Sequence, residues 1–497
     1  MYFMFYNLIF LINIGYYLID AEKMEPSIVI IGAGLSGFSA AARLIENNFT
    51  NLIVLEAEDR IGGRVHSVKY FEGNFIDNGA QWIHGEKDNI IYQIAHKYFD
   101  FGSTAFDQVD QTFLLSNGSK PDQNTCRKVL EIAYKILEDD DDEMEDYEGS
   151  LGSFMLKKIY EKLNEPQYKK INRQLIPVIL NSIESDINGY YGSKSWFNIS
   201  AKLDAKYDEA KGNQHLTWKK KGFITVFDFI TKKAFGKSNY LDIQNKVQLN
   251  KKVVNIKYDS NEVMITTSDG TKYFANHVIF TASLGVLKKY HRSLFNPNLP
   301  QYKITAIEKN AFGAVGKFFI EFEKPFWSLD RDSFVAYSFL WNEAEKKEAI
   351  RDNREWLFSI SGFFIVDQYP NLLEAFLGGE KIDEFEKISN EKLIDDCVWM
   401  FEKFLGNSIA KPKLIQRTKW LNNENFLGTY SYVSVDAYKF NVGPKDLAKT
   451  LKNSDDKPIV LFAGEATDLK FPSYAHGAVT SGYRAAHEII DYYIEDD

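Results

Sequence analysis

Gly32-Ala33-Gly34-Leu35-Ser36-Gly37 reads G-x-G-x-x-G, and Glu56 stands about twenty residues further on. The first glycine of such a run permits a tight turn, the second lets backbone approach a pyrophosphate, and the third brings helix against strand. Helix N-terminal amides then face the phosphates, and an acid after the next strand accepts from a ribose diol. The motif carries that chemistry only between a strand and a helix. Ser27 to Ile31 (SIVII) reads as a buried parallel strand, Phe38 to Asn47 as a helix with small residues on one side, and Leu52 to Leu55 as the next strand. The context predicts dinucleotide binding by Gly32, Gly34, Ser36, Gly37 and Glu56.

Two further stretches address the same ligand. Glu58-Asp59-Arg60-Ile61-Gly62-Gly63-Arg64 adds a glycine pair flanked by arginines, which offers amides and the Arg64 charge to a pyrophosphate. Near the other end, Leu461 to Thr467 (LFAGEAT) places Gly464 and Glu465 after a buried strand. Beyond Ala475, His476-Gly477-Ala478 opens a helix running through Gly482, Ala485 and Ala486, small enough to lie close to a cofactor. Its positive N-terminal end favours an anionic ring system.

A different chemistry is suggested by Ala314 to Phe322, AVGKFFIEF. Alternation puts Phe318, Ile320 and Phe322 on one face of a strand and Val315, Lys317, Phe319 and Glu321 on the other. Pattern alone leaves Lys317 either solvated or held inside for proton handling.

The elements that must position these residues are spread along 497 residues, more than one hydrophobic core usually serves. Strand patterns at Leu249 to Tyr258, Val263 to Thr267, His277 to Thr281 and Ile459 to Phe462 alternate with helical blocks near 123–186 and 381–405. The fold class is therefore α/β: a Rossmann-like domain in three interleaved segments (26–105, 216–300 and 440–493) with an α+β domain inserted twice (106–215 and 301–439). A net charge of -10 argues against nucleic acid as a partner and suits a cationic ligand. Cys126 and Cys397 supply no disulfide framework, and two free buried thiols are expected. The acidic run Glu138 to Glu143 reads as a solvated loop, the alternative being a polycation lure near an entrance. Residues 1–19 carry no charged side chain, so segment 1–21 is expected to be a secretory signal, with an uncleaved membrane anchor as the alternative.

With these stretches placed, the sequence resembles the flavin amine oxidases from about Ser27 to Tyr493. GAGLSG, EAEDRIGGR, GAQWIHG (Gly79 to Gly85), LNKKVVNI, TASLGVLK, GKFFIEFEKPFW, LGTYSY, LFAGEAT and YAHGA carry the resemblance. It implies an FAD cofactor with Val253 against the adenine and Gly79, Ala80, Gln81 and Trp82 beside the flavin. Lys317 would sit at the flavin, hydrogen-bonded through a water to N5. It implies Tyr430 and Tyr474 as an aromatic cage for the amine, with Trp420 and Trp82 lining the pocket. Amine oxidation in this family passes a hydride to flavin N5, hydrolyses the imine and releases hydrogen peroxide.

Within the family, His84 matches the histidine by which animal and fungal polyamine oxidases contact substrate nitrogen. Amino-acid oxidases would need an arginine near this point, and none falls in GAQWIHG. Thr429 stands where monoamine oxidases tether flavin through cysteine, which implies non-covalent FAD. Asp208 and Glu209 are the candidates for a tunnel carboxylate. Ser473-Tyr474 departs from the small hydroxyl pair of animal spermine oxidases, so spermine, spermidine and acetylated forms are not separated. The expected partners are a polyamine and oxygen, and the expected state is a monomer or weak homodimer.

Overall fold

The structure, a computed structural model, describes residues 25–104, 112–206, 208–327, 337–366 and 369–495. The expected leader at 1–21 lies outside the described residues. Among the described residues no helix is long and apolar enough to cross a membrane.

Strand Ile28–Ile31 is buried at every position, as a parallel strand covered on both faces must be. It pairs in parallel with Leu52–Leu55 on one side and His277–Phe280 on the other. Val247–Gln248 extends the first edge, and Pro458–Phe462 then Leu451–Lys452 extend the second, giving six strands drawn from three separate stretches of chain. The helices Leu35–Glu46 and Ala475–Glu495 share one core on this sheet, through Phe38, Ala41, Val479, Ala485 and Ile489. Glycine permits their approach: a Cβ at Gly482 would lie 2.3 Å from the Ser36 carbonyl oxygen. The strand expected from Leu249 begins only at Val253, because Asn250 adopts a left-handed turn at φ 57°.

A second six-stranded sheet runs Lys413–Arg417, Gly316–Glu321, Tyr369–Leu377, Ile360–Val366, Tyr337–Leu340, Thr112–Leu115. Phe318, Ile320 and Phe322 enter a core with Phe363, Phe385 and Phe401, as alternation requires. The opposite face is also covered, so Lys317 and Phe319 are buried. Helices Gln123–Asp139, Leu151–Leu163 and Ile176–Tyr191 form a separate apolar cluster beside this sheet.

The acidic run is not a loop. Glu138 and Asp139 finish the Gln123–Asp139 helix, and Asp141–Glu145 forms another short helix. The apolar spacing Val129, Ile132, Ala133, Ile136 carries the helix into the run, while Lys158 pairs with Asp140 at 3.1 Å and Glu143 at 2.8 Å. Cys126 and Cys397 are buried and free.

Candidate active site

One cavity of about 1710 Å³ is lined from the glycine turn at one end to the acidic helices at the other. Gly32, Gly34, Ser36, Glu56, Arg64 and Gly79 line it, with Ala80, Gln81, Trp82, Val253, Glu465 and Ala475. Gly37 and Gly464 are not part of the lining.

The glycine end is a cradle of bare backbone. A Cβ at Gly32 would fall 2.5 Å from Thr281 Oγ1, and one at Gly37 would fall 1.9 Å from the Gly32 carbonyl oxygen. Glu56 is fixed at the strand end by the amides of Ala33 (2.7 Å) and Glu58 (2.9 Å), although burial raises its pKa. This arrangement fits the dinucleotide end of a flavin cofactor. Arg64 Nη1 donates to the Thr429 carbonyl (2.6 Å) and to Glu465 (2.8 Å), which fixes the guanidinium at the cavity wall.

Lys317 reaches the cavity wall from the second sheet. Its ammonium donates to the carbonyls of Asp77 (2.8 Å) and Gly79 (3.2 Å) and to Gln81 Oε1 (2.5 Å). It also lies 3.0 Å from Glu374 Oε1, an ion contact outside hydrogen-bond geometry, while Glu374 Oε2 accepts from Gln81. The register explains the pair: Lys317 opposes Phe376 and Phe319 opposes Glu374, which places lysine and carboxylate diagonally on one face. Lys317 is thus held inside, with its ammonium paired to Glu374 rather than solvated. Neighbouring Asp77 is pushed up to about 6 by burial.

The residues expected to form the cage come together from distant elements. Tyr430 donates to the backbone oxygens of Gly189 (3.1 Å) and Tyr190 (2.9 Å). The Tyr474 hydroxyl lies 2.9 Å from that of Tyr190 and 3.2 Å from Glu209 Oε1. Ser473 Oγ donates to the Ser431 carbonyl, which ties the chain beside one cage tyrosine to the chain beside the other. The His84 ring lies 5.5 Å from the Tyr474 ring and 6.3 Å from that of His215. Burial, with His215 adding to it, pushes His84 down to about 4, so its imidazole is neutral across physiological pH. Trp82 stacks on Phe376 at 5.5 Å. Trp420 lines the wall but also packs on Phe426 at 5.0 Å, with Nε1 donating to the Asn78 carbonyl.

Beyond the cage the wall turns acidic. Asp208 lines it, and its neighbour Glu209 accepts from the Tyr190 hydroxyl at 2.7 Å. Glu138 and Asp141, from the run whose alternative reading was a polycation lure, also line it, as do Asp186 and Asp204, which the sequence reading did not mark. Burial pushes Asp186 up to about 8 and Asp204 to about 7, the latter despite a 2.6 Å hydrogen bond from Tyr191. The signal for Asp186 lies in its helix: Ile183, Asp186, Ile187 and Tyr190 share one face, where an acid among apolar residues marks a lined cavity.

Residues 35–172 and 196–490 match the model of the flavin containing amine oxidoreductase family. The peroxisomal N(1)-acetyl-spermine/spermidine oxidase of Bos taurus is 27% identical, covering 95% of this chain and 96% of its own. Polyamine oxidase 1 of Zea mays is 27% identical over 95% of this chain and 91% of its own. A redesigned putrescine oxidase shares the fold with a TM-score of 0.65 at 17% identity, covering 94% of this chain and 99% of that one. The chain belongs to the flavin-containing amine oxidoreductases.

Proposed function

We propose that this protein is an FAD-dependent polyamine oxidase that holds its FAD without a covalent bond. The observation that carries this reading is the wall beyond the cage tyrosines, where Glu138, Asp141, Asp186, Asp204 and Glu209 are interspersed with Leu137, Met144, Ile183 and Ile187. Carboxylates separated by apolar side chains match a ligand of ammonium groups separated by methylene runs. A monoamine would leave those acids uncompensated. An amino acid would need a cation at the cage, and Lys317 already faces Glu374.

FAD, when bound, supplies the acceptor for hydride from the carbon beside the amine nitrogen and passes the electrons to oxygen, which becomes hydrogen peroxide. The chain's own residues orient the amine. Tyr430 and Tyr474 offer ring faces without a competing charge, and neutral His84 can accept a hydrogen bond from the substrate nitrogen without adding a charge beside it. Lys317, held by Gln81 and Glu374, is placed to anchor a water at the flavin and handle a proton there. The charge-free run at 1–19 supports a secretory route.

Peroxide release with spermine, N1-acetylspermine, phenylethylamine and leucine tests the reading. Turnover of a polyamine with little of the others is expected. Activity on leucine alone would defeat it.

A further inference from the structure

The last turn of the Ile176–Tyr191 helix touches both cage tyrosines through different atoms of one residue. The Tyr190 backbone oxygen accepts from Tyr430 at 2.9 Å, and the Tyr190 hydroxyl meets that of Tyr474 at 2.9 Å. Glu209 Oε1 closes the triangle, 2.7 Å from Tyr190 and 3.2 Å from Tyr474.

Both ends of this clasp are anchored. Gly192, just past the helix, accepts from the Ala314 amide at 2.9 Å and so ties the turn to the Lys317 strand. The loop bearing Glu209 is pinned beside His84, where Gly85 donates to Asn213 and Glu86 to Lys211, each at 2.9 Å. Tyr190 is 54% exposed, and that surface faces the cavity. Its ring therefore fills no core, and its hydroxyl is what the arrangement uses.

We infer that Tyr190 is a positioning residue for the amine site, setting the placement of Tyr430 and Tyr474 relative to each other while Glu209 locks two of the phenols. The inference rests on the reading that the amine is oxidised between those rings. An aromatic ring in an open cavity rotates unless its far end is held, and transfer of hydride is sensitive to displacements of an ångström or less.

Tyr190→Phe removes the hydroxyl and keeps the carbonyl that holds Tyr430. At saturating spermine without oxygen, reduction of the bound flavin should slow about tenfold. Melting temperature, FAD affinity and reoxidation by oxygen should match the parent, which a merely structural role would not allow. Tyr474→Phe breaks the same contact from its other side, so the double variant should be no slower than the slower single variant. A crystal structure of Tyr190→Phe should show the Tyr474 ring displaced. An unmoved ring, or losses that multiply in the double variant, overturns the inference. If no amine reduces the parent enzyme, the polyamine reading fails, and the ring position in the variant crystal still decides the clasp.

Discussion

At the cofactor end of the cavity, Gly32 and Gly34 lie between a strand and the helix that follows it, and Gly37 sits in the first turn of that helix. At the amine end, Tyr190 and Tyr474 meet across 284 residues of sequence. The first end works by leaving side chains out, so that backbone can crowd a ligand. The second works by importing side chains from several elements and fixing them with long-range hydrogen bonds. A region built on absence has no tolerance for an added atom, whereas one built on converging side chains should lose function by degrees.

Gly37→Val is the severest way to break that contrast. Its Cβ would meet Gly32 backbone at 1.9 Å and 3.1 Å, and backbone cannot rotate aside as a side-chain tip can. The variant should purify without bound flavin, with amine oxidation reduced ~100-fold or more. A yellow, active Gly37→Val protein would show that the cradle yields more readily than its geometry says.

Lys317→Met should act in two separable ways. Removing the ammonium leaves Glu374 as a buried carboxylate without its ion partner, a loss of about 3–5 kcal/mol for such pairs. If Lys317 handles protons as proposed, oxidation or reoxidation should also slow at least about tenfold with FAD retained. Lys317→Met with Glu374→Gln separates the two, because the added change removes the stranded charge. Recovered melting temperature with turnover still slow is expected. Unchanged turnover in either variant would reduce Lys317 to a structural ion pair.

The same contrast explains what the sequence made legible. G-x-G-x-x-G lies within a single βαβ unit, so spacing alone located the turn, the helix and Glu56. Alternation located Lys317 on its strand. It could not locate Glu374, because the partner depends on the register between Gly316–Glu321 and Tyr369–Leu377. Tyr430 and Tyr474 were expected as a cage through resemblance rather than pattern, and the structure places both in the cavity wall. Of the acids, Asp208 and Glu209 were both candidates by their place in the chain, and the phenols reach Glu209. Asp186 was missed although it stands among apolar residues on one face of its helix, and Asp204 because only the packing of the helices decides whether such a carboxylate faces the cavity. The run at 138–143 was misread because six acids in succession hid the apolar period that carries the preceding helix into them.

Asp186→Asn tests the graded end of the molecule with the smallest change. Before ligand binds, burial holds Asp186 near 8, far above the usual carboxylate value of about 3.8, so it is largely protonated at neutral pH. A polyammonium ligand favours the ionised form, and binding below about pH 8 must then expel a proton. KM for spermine should therefore fall as pH rises from about 6 to about 8 and level off above, with a limiting slope of about tenfold per pH unit. In Asp186→Asn that component should vanish, and at pH 8 KM should rise about tenfold with kcat little changed, since a charged hydrogen bond is replaced by a neutral one. Stability gives an independent reading with its own sign. A carboxyl whose native pKa is raised binds protons more tightly folded than unfolded, so its contribution is lost as pH rises from about 4 through about 8. The asparagine variant should consequently gain melting temperature over the parent as pH is raised through that window. An unaltered pH slope in both KM and melting temperature would move the role to Asp204, whose value near 7 and hydrogen bond from Tyr191 give it a different window.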